Sequence, residues 1–457
     1  MRNIQNYKDK KVLVVGMARS GVAAAKLLHK AGAKVVINDS KTAEALGDAL
    51  LPLNGLDIEY KLGCPAGECL DGLDCMIISP GIPDTAAFVV KAKEMGIYVT
   101  GELEMAHQLS SGEMVAITGT NGKTTTVSLL GEIFRNAGRT TYVVGNIGYP
   151  YSLAGLESSA DDQFVCEVSS FQMETAEQFH PQVAALLNVT EDHLNRHGTM
   201  ENYALTKMRM FQNMTAEDVA VFNADDPALA PYIPMVKAQV MLFSRKVEVE
   251  NGAFVREGMI VTRFGGMETV VCPVADVYIP GPHNLENALA AACMATACGV
   301  SAEIMAHTLR TFTGVEHRIE FVRELEGVRY INDSKGTNVD STIKAIQTMN
   351  RPTAIILGGY DKHCDFTPMV QEMLASDYIR EAVLIGVTAD QIERQCRENG
   401  YNAIHRAATL EEAVNQCRAL AAGEWNVLLS PACASFDMFP DYEARGRIFK
   451  EIVNELK

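Results

Sequence analysis

The chain has 457 residues, 47% of them hydrophobic, and a formal net charge of −17. At roughly 150 residues per domain this length predicts about three domains, and the acidic balance argues against a nucleic-acid binder with a basic face. The opening segment MRNIQNYKDKK lacks the apolar stretch of a secretory signal, and no apolar run approaches the roughly 20 residues that span a bilayer, so the expectation is a soluble, cytoplasmic protein that is not integral to a membrane.

Apolar, β-rich runs alternate with helical patterns along the whole chain. A strand over 11–15 leads through Gly16 into a helix over 21–31, and further strands are expected over 35–39 and 75–79. Short continuous apolar runs between helices are what buried parallel strands look like. Residues 1–105 therefore read as one open α/β unit. A second unit, 106–312, opens with a strand over 114–118 and continues with strands over 140–144, 163–168, 183–189 and 218–223. Residues 250–275 alternate more, carry several glycines, and predict an antiparallel excursion. The Ala-rich segment 284–298 reads as a helix. A third unit, 313–457, has strands over 328–332, 353–357, 382–385 and 426–430. The predicted fold class is α/β, with a Rossmann-like first domain, a central domain of P-loop ATPase type and a Rossmann-like third domain. The 11 cysteines are scattered without a twin CxxC pattern and read as reduced, buried thiols. Sparse exposed apolar signals leave a monomer as the expectation.

Residues 117–125, ITGTNGKTT, lie between a predicted strand and a helix. Glycines let the backbone approach phosphate closely, and a helix N-terminus adds partial positive charge. In this pattern Lys123 reaches the β and γ phosphates and Thr124 ligates magnesium. Position 117 is isoleucine where the full Walker pattern has glycine, which leaves the shorter GxxGK[ST]. The expected acidic partner on a neighbouring strand is Glu167, in FVCEVSS. It reads either as a metal ligand or as a buried carboxylate bonded locally, since an acid in an apolar strand is costly unless paired. The loop 16–21, GMARSG, is not GxGxxG. With Asp39 closing the second strand it suits a nucleotide or diphosphate ligand, or simply tight strand–helix packing.

Seven motifs follow in order: 119–125 (GTNGKTT), 145–148 (GNIG), 167–172 (EVSSFQ), 188–194 (NVTEDHL), 281–287 (GPHNLEN), 317–320 (HRIE) and 332–338 (NDSKGTN). Together they resemble the Mur ligase family of peptidoglycan precursor synthesis, over essentially the whole chain. Within it, SPGI at 79–82, GGYDK at 358–362 and LSPACASFDMF at 429–439 favour the member that adds D-glutamate to UDP-N-acetylmuramoyl-L-alanine. The DNPR motif of relatives that add meso-diaminopimelate is absent. The resemblance implies ATP-dependent amide formation through an acyl phosphate, with two magnesium ions and a carbamylated Lys207.

Carried over by motif position, Thr118, Gly119, Thr120, Asn121, Gly122, Lys123, Thr124 and Thr125 hold the ATP phosphates. Asn284 and Asn287 meet the adenine side, and Arg318 and Asp333 reach the nucleotide from the third domain. Thr124, Glu167, His193 and Lys207 are the expected metal set; with Lys123, the last three form the catalytic group. Ala18, Arg19, Asp39, Ser40, Lys41 and Gly81 fall to the uridine diphosphate part of the substrate, and Asn146, Ser169 and Gln172 to its muramoyl-alanine part. Lys335, Thr337, Lys362, Ser435 and Tyr442 are the D-glutamate positions. Tyr442 stands where phenylalanine is expected, and Phe436 where an aliphatic residue is. Taken singly, Lys207 reads as a solvated helix lysine, Asn284 as a helix N-cap, and Arg318 and Asp333 as a surface ion pair. Because ATP contacts then come from two domains, the resemblance also implies domain closure. Two rival readings are the same chemistry with another amino acid, and a P-loop ATPase without ligation. An NAD-dependent oxidoreductase built on the first loop is a third.

Overall fold

The computed structural model describes residues 1–147, 149–360, 364–421 and 423–457, with the backbone alone at Asn195. These residues form two compact units, one of residues 1–277 and 286–312 and the other of 278–285 and 313–457. Among the described residues no helix is long and apolar enough to cross a membrane. All 11 cysteines are free thiols.

The first unit contains two sheets. One is parallel, in the order β3-β2-β1-β4-β5, from β1 (Lys11–Val15), β2 (Lys34–Asp39), β3 (Ile58–Leu62), β4 (Cys75–Ile78) and β5 (Tyr98–Gly101). The order reverses at β1, so the loops after β1 and β4 flank a crevice of the kind that takes ligands in open α/β sheets. The second sheet has nine strands: β6 (Glu113–Thr118), β7 (Thr141–Gly145), β8 (Gln163–Glu167), β9 (Val183–Leu186), β10 (Val219–Asn223), β11 (Gln239–Ser244), β12 (Gly252–Arg256), β13 (Met259–Phe264) and β14 (Met267–Pro273). Their order is β14-β13-β12-β11-β10-β9-β6-β8-β7. The expected excursion is present: β12 runs parallel to β11, then β13 and β14 turn back antiparallel. Here β6 lies between β8 and β9, which makes the end of β6 the reversal point.

The two sheets share one apolar core. It runs from Val12 and Leu27 through Leu103 and Tyr151 to Phe164, with Tyr151 edge-on to Phe164 at 4.8 Å between ring centroids. Each such side chain, fully buried, contributes about 1.5–3 kcal/mol. Glu104, on the helix Glu102–Leu109, accepts from the backbone N–H groups of Glu177 and Gln178, a polar tie within the same interface.

The second unit carries a six-stranded sheet in the order β15-β16-β20-β17-β18-β19. Its strands are β15 (Glu320–Leu325), β16 (Val328–Asn332), β17 (Thr353–Leu357), β18 (Ile379–Leu384), β19 (Ile404–Arg406) and β20 (Asn426–Leu429), and only β15 is antiparallel to its neighbour. The last strand, β20, inserts between β16 and β17, so the loops after β16 and β20 lie side by side.

The first loop is closely packed. The helix Arg19–Lys30 begins so near the end of β1 that a Cβ on Gly21 would lie 1.8 Å from the Gly16 carbonyl oxygen. Backbone cannot yield that distance without moving the helix. Gly21→Ala should cost roughly 1–3 kcal/mol and lower the midpoint of thermal unfolding by several degrees in calorimetry; an unchanged midpoint would mean the loop relaxes freely.

Candidate functional site

In the first unit the phosphate-loop residues converge with partners from three other segments. The loop leaves β6 and enters the helix Lys123–Asn136 through Gly122, whose φ of +85° is a left-handed conformation suited to glycine. A Cβ there would also lie 2.3 Å from Asn287 Oδ1. Asn287 thus packs directly on the loop, and Thr126 Oγ1 lies 3.3 Å from the same oxygen. Asn188, just beyond β9, holds the loop from the other side. Its Oδ1 accepts from the backbone N–H groups of Thr120 (3.1 Å) and Asn121 (2.8 Å), and its Nδ2 donates to Asn121 O at 3.0 Å. Lys123 Nζ donates to Gly119 O (2.9 Å) and Thr120 O (2.7 Å). Thr118 Oγ1 donates to Val168 O at 2.7 Å, and Thr125 is buried beneath the loop.

Glu167 closes β8 and is 1% exposed. Thr124 Oγ1 donates to its Oε2 at 2.8 Å and Asn146 Nδ2 to its Oε1 at 3.0 Å. A hydroxyl and a carboxylate side by side at a helix N-terminus are hard oxygen donors of the kind magnesium takes. Lys207 is also 1% exposed, so it is not a solvated helix lysine. Its Nζ donates to Gly119 O at 2.9 Å and lies 4.4 Å from the centre of the Tyr203 ring. Burial pushes its pKa well below the ordinary lysine value, and the nearby Lys123 charge lowers it further. The amine is thereby biased towards its neutral, nucleophilic form. His193 has a positive φ of 55° and lies 3.5 Å from Asp192 through Nε2. Among the described residues no three His, Cys, Asp or Glu side chains gather as a metal-binding group.

Ser169 and Gln172 form a capping box at the helix Ser170–Met173, each satisfying the other's backbone. On the first sheet, Asp39 accepts from Met17 N (2.7 Å) and Lys41 N (2.9 Å), which fixes the loop 16–21 against the end of β2. Ala18, Arg19, Ser40, Lys41 and Gly81 are exposed around this crevice.

In the second unit, Asp333 follows β16 and is fully buried, so Arg318 and Asp333 are not a surface ion pair. Ser430 Oγ donates to Asp333 Oδ2 at 2.7 Å, Ile319 N to Oδ1 at 3.2 Å, and Arg318 Nη1 lies 4.0 Å from Oδ1. Burial pushes the Asp333 pKa up to about 6, against the pull of Arg318 and the two donors. Lys335 Nζ lies 3.3 Å from Tyr442 OH and faces its ring. Ser435 is buried, and Thr337 N donates to Lys335 O. Asn284 is not an N-cap, because the helix starts at Pro282; its Nδ2 donates back to Pro280 O at 2.7 Å. Lys362 and Gly148 lie outside the described residues.

Sequence reading gave no role to Asn188, Ser430, Arg196 or Arg445. Arg445 is 1% exposed and donates to Ser334 Oγ and to the backbone carbonyls of Ser334, Cys433 and Ala434, which locks the loops after β16 and β20 together. Asn188 had a usable signal, a polar residue immediately after an apolar strand beside the loop strand. Arg445 and Ser430 had none, because Ser334 and Asp333, which they bond, lie about 100 residues earlier in the chain.

Three family descriptions match the chain: a Mur ligase MurD-like N-terminal domain over residues 10–101, a Mur ligase middle domain over 117–295, and the Mur ligase glutamate ligase domain over 317–433. The UDP-N-acetylmuramoylalanine–D-glutamate ligase of Caldanaerobacter subterraneus is 48% identical over 98% of this chain and 99% of its own length. That of Clostridioides difficile is 45% identical over 99% of this chain and 100% of its own. Among solved structures, the UDP-N-acetylmuramate–alanine ligase of Thermotoga maritima covers 98% of this chain and 100% of its own, with a TM-score of 0.61 at 19% identity, a likeness of fold.

The shifted Asp333 carries a pH signature. A carboxyl whose folded pKa of about 6 exceeds its unfolded value binds its proton more tightly when folded. Its contribution to stability is present below about pH 4 and is lost as pH rises through 6, by at most about 3 kcal/mol. Asp333→Asn should therefore gain stability relative to the wild type between pH 4 and 7. Urea unfolding followed through Trp425, the only tryptophan of the chain, reports on this unit; a pH-independent difference would show that Asp333 titrates normally.

Proposed function

Since the chain belongs to the Mur ligase family, we propose that it joins D-glutamate to UDP-N-acetylmuramoyl-L-alanine at the expense of ATP. The observation that carries the ligase chemistry is the cluster of phosphate loop, buried Glu167 and buried Lys207 around Gly119. The choice of D-glutamate is supported by relatives of that name that match along their full length. The reading assigns residues 1–105 to the UDP-substrate, 106–312 to ATP and 313–457 to the amino acid, in a cytoplasmic monomer.

In this reaction the substrate carboxylate attacks the γ-phosphorus of ATP, releasing ADP and forming an acyl phosphate. The amine of D-glutamate then attacks the acyl carbon, and the tetrahedral adduct expels phosphate to leave an amide. The protein's work is positioning and charge neutralisation. The backbone N–H groups of 119–125 and the Lys123 ammonium hold the phosphates, with Asn284, Asn287, Arg318 and Asp333 assigned to the rest of the nucleotide. Asn146, Ser169 and Gln172 orient the muramoyl-alanine arm; Ala18, Arg19, Asp39, Ser40, Lys41 and Gly81 receive the uridine diphosphate. Lys335, Thr337, Lys362, Ser435 and Tyr442 supply cationic and hydroxyl groups that suit a dicarboxylate. Thr124 and Glu167 would hold one magnesium ion, and His193 with a carbamate on Lys207 a second; bound there, they spread the charge of the phosphoryl oxygens. A neutral lysine amine is the form that adds CO₂, with loss of one proton, and the resulting carbamate offers anionic oxygen of the kind magnesium takes.

Phosphate release by the purified protein should require ATP, UDP-N-acetylmuramoyl-L-alanine and D-glutamate together, and fall to background when any one is left out. Turnover with L-Ala, L-Lys or D-Ala-D-Ala equal to that with D-Glu would overturn the specificity, and release without the UDP-sugar would favour a simple ATPase. Lys207→Ala should lower kcat by roughly a hundredfold or more, the scale of losing one preorganised charge-stabilising group, and bicarbonate-free buffer should lower wild-type activity reversibly. A Lys207→Ala protein with full activity removes the carbamate from the scheme.

A further inference from the structure

We propose that Arg196 is a positioning residue for the UDP-sugar. It clamps the loop after β4 against the helix Ser170–Met173, and so sets affinity for that substrate without setting affinity for nucleotide. The inference rests on the ligase reading in one respect, that the loop around Gly81 and the residues Ser169 and Gln172 face the same substrate.

Arg196 sits on the short helix Leu194–His197, three residues beyond His193. Its guanidinium meets Glu174 in a two-pronged pair, Nε to Oε1 at 3.1 Å and Nη2 to Oε2 at 2.5 Å. On the other side Nη1 donates to Gly81 O at 3.4 Å and Nη2 to Ile82 O at 3.2 Å. The plane lies over the Phe171 ring, 4.8 Å from its centre. Phe171 in turn packs against His193 at 4.8 Å between ring centroids, and is stacked on His197 at 5.7 Å. Below them, Ser170 Oγ meets His197 Nε2 at 3.0 Å. One planar group therefore joins a first-sheet loop, the substrate helix and the segment bearing His193. A narrow cleft lined by Ser79, Pro80, Ile82, Phe171, Gln172 and Thr175 lies between the parts it joins.

Only a rigid fork serves this arrangement. A lysine ammonium is a point charge that cannot pair with both oxygens of Glu174 and reach the two loop carbonyls in one plane. The side chains of Arg196 and Glu174 are 16% and 14% exposed, so the pair is mostly removed from water. Losing the arginine strands a carboxylate there. The loop has a second anchor, Ser79 Oγ donating to Val15 O at 3.0 Å, and an internal turn with Ile82 N donating to Ser79 O at 2.9 Å. It should thus stay folded without Arg196 but lose its fixed distance from the helix. Nucleotide binding is insulated, because the loop 119–125 is braced by Asn188, Glu167 and Asn287 instead.

The test compares wild type, Arg196→Lys, Arg196→Ala and Glu174→Gln. Titration calorimetry measures binding of UDP-N-acetylmuramoyl-L-alanine and, separately, of a non-hydrolysable ATP analogue; hydrogen exchange follows the amides of residues 79–86. Both arginine variants should weaken UDP-sugar binding at least about tenfold, keep nucleotide binding within about twofold, and exchange faster at Ile82. Glu174→Gln, which keeps one oxygen acceptor, should fall in between. Unchanged UDP-sugar affinity in Arg196→Ala overturns the proposal, as does Arg196→Lys behaving as wild type, or an equal loss for both ligands, which marks a general structural lesion. A wild-type protein that fails to bind the UDP-sugar at all sinks the ligase reading; the clamp is then judged by exchange alone, and unaltered exchange at Ile82 rejects it.

Discussion

The buried carboxylate of Glu167 is the constraint around which the first unit's site is organised. An acid at the end of a buried strand is costly unless its oxygens find donors. Thr124 supplies one from the helix after β6 and Asn146 the other from beyond β7. Meeting that demand fixes three chain segments in mutual register. Gly145 shows how tight the fit is: its φ is +105°, and a Cβ would lie 2.2 Å from Glu167 O. Only the missing side chain lets β7 end where Asn146 can reach the acid. The same carboxylate is then placed beside the hydroxyl with which it would share a cation, so folding and chemistry draw on one contact.

Charge is handled locally. The chain as a whole is strongly acidic, yet the proposed substrates are anions. Lys123, Lys207 and the helix N-terminus gather around one loop carbonyl, Gly119 O. Two ammonium groups that close would repel, and burial already disfavours a charge on Lys207. Both effects favour the neutral amine at Lys207, and Lys123 is the residue proposed to meet phosphate. Net charge thus says little about ligand sign; the buried pattern does.

Much of the scaffold was legible because parallel, two-face-buried strands print themselves as apolar runs. The strands over 11–15, 328–332 and 353–357 coincide with β1, β16 and β17. The reading passed over β3, β5, β11, β15 and β19; all but β11 are sheet-edge strands, and β3 and β15 have polar, half-exposed sequences such as IEYKL. It ran past the end of β9, where Leu187 and Val189 flank the polar Asn188 after the pairing has ended. In the site, the phosphate loop could be read because its function is written in contiguous backbone geometry. The burial of Lys207 could not, since YALTKMR contains nothing that distinguishes an inward lysine from an outward one. Nor could Arg196 and Arg445, which bond Gly81 O, Ile82 O and Ser334 O more than 100 residues away. Ordered motifs compensated for part of this by pointing to positions that local physics left ambiguous.

One detail of the phosphate loop bears on how the protein meets its nucleotide. The Lys123 ammonium bonds two carbonyls of its own loop, Gly119 O and Thr120 O. If Lys123 binds phosphate as proposed, those oxygens compete with it for the ammonium. Each contact contributes about 0.5–1.5 kcal/mol net, and both must be exchanged before the ammonium is available. On that reading, the affinity that a titration measures is the intrinsic affinity discounted by the self-bonded population. The same two bonds tie the ammonium to the loop's own backbone, so the cation is held at the site before any phosphate arrives.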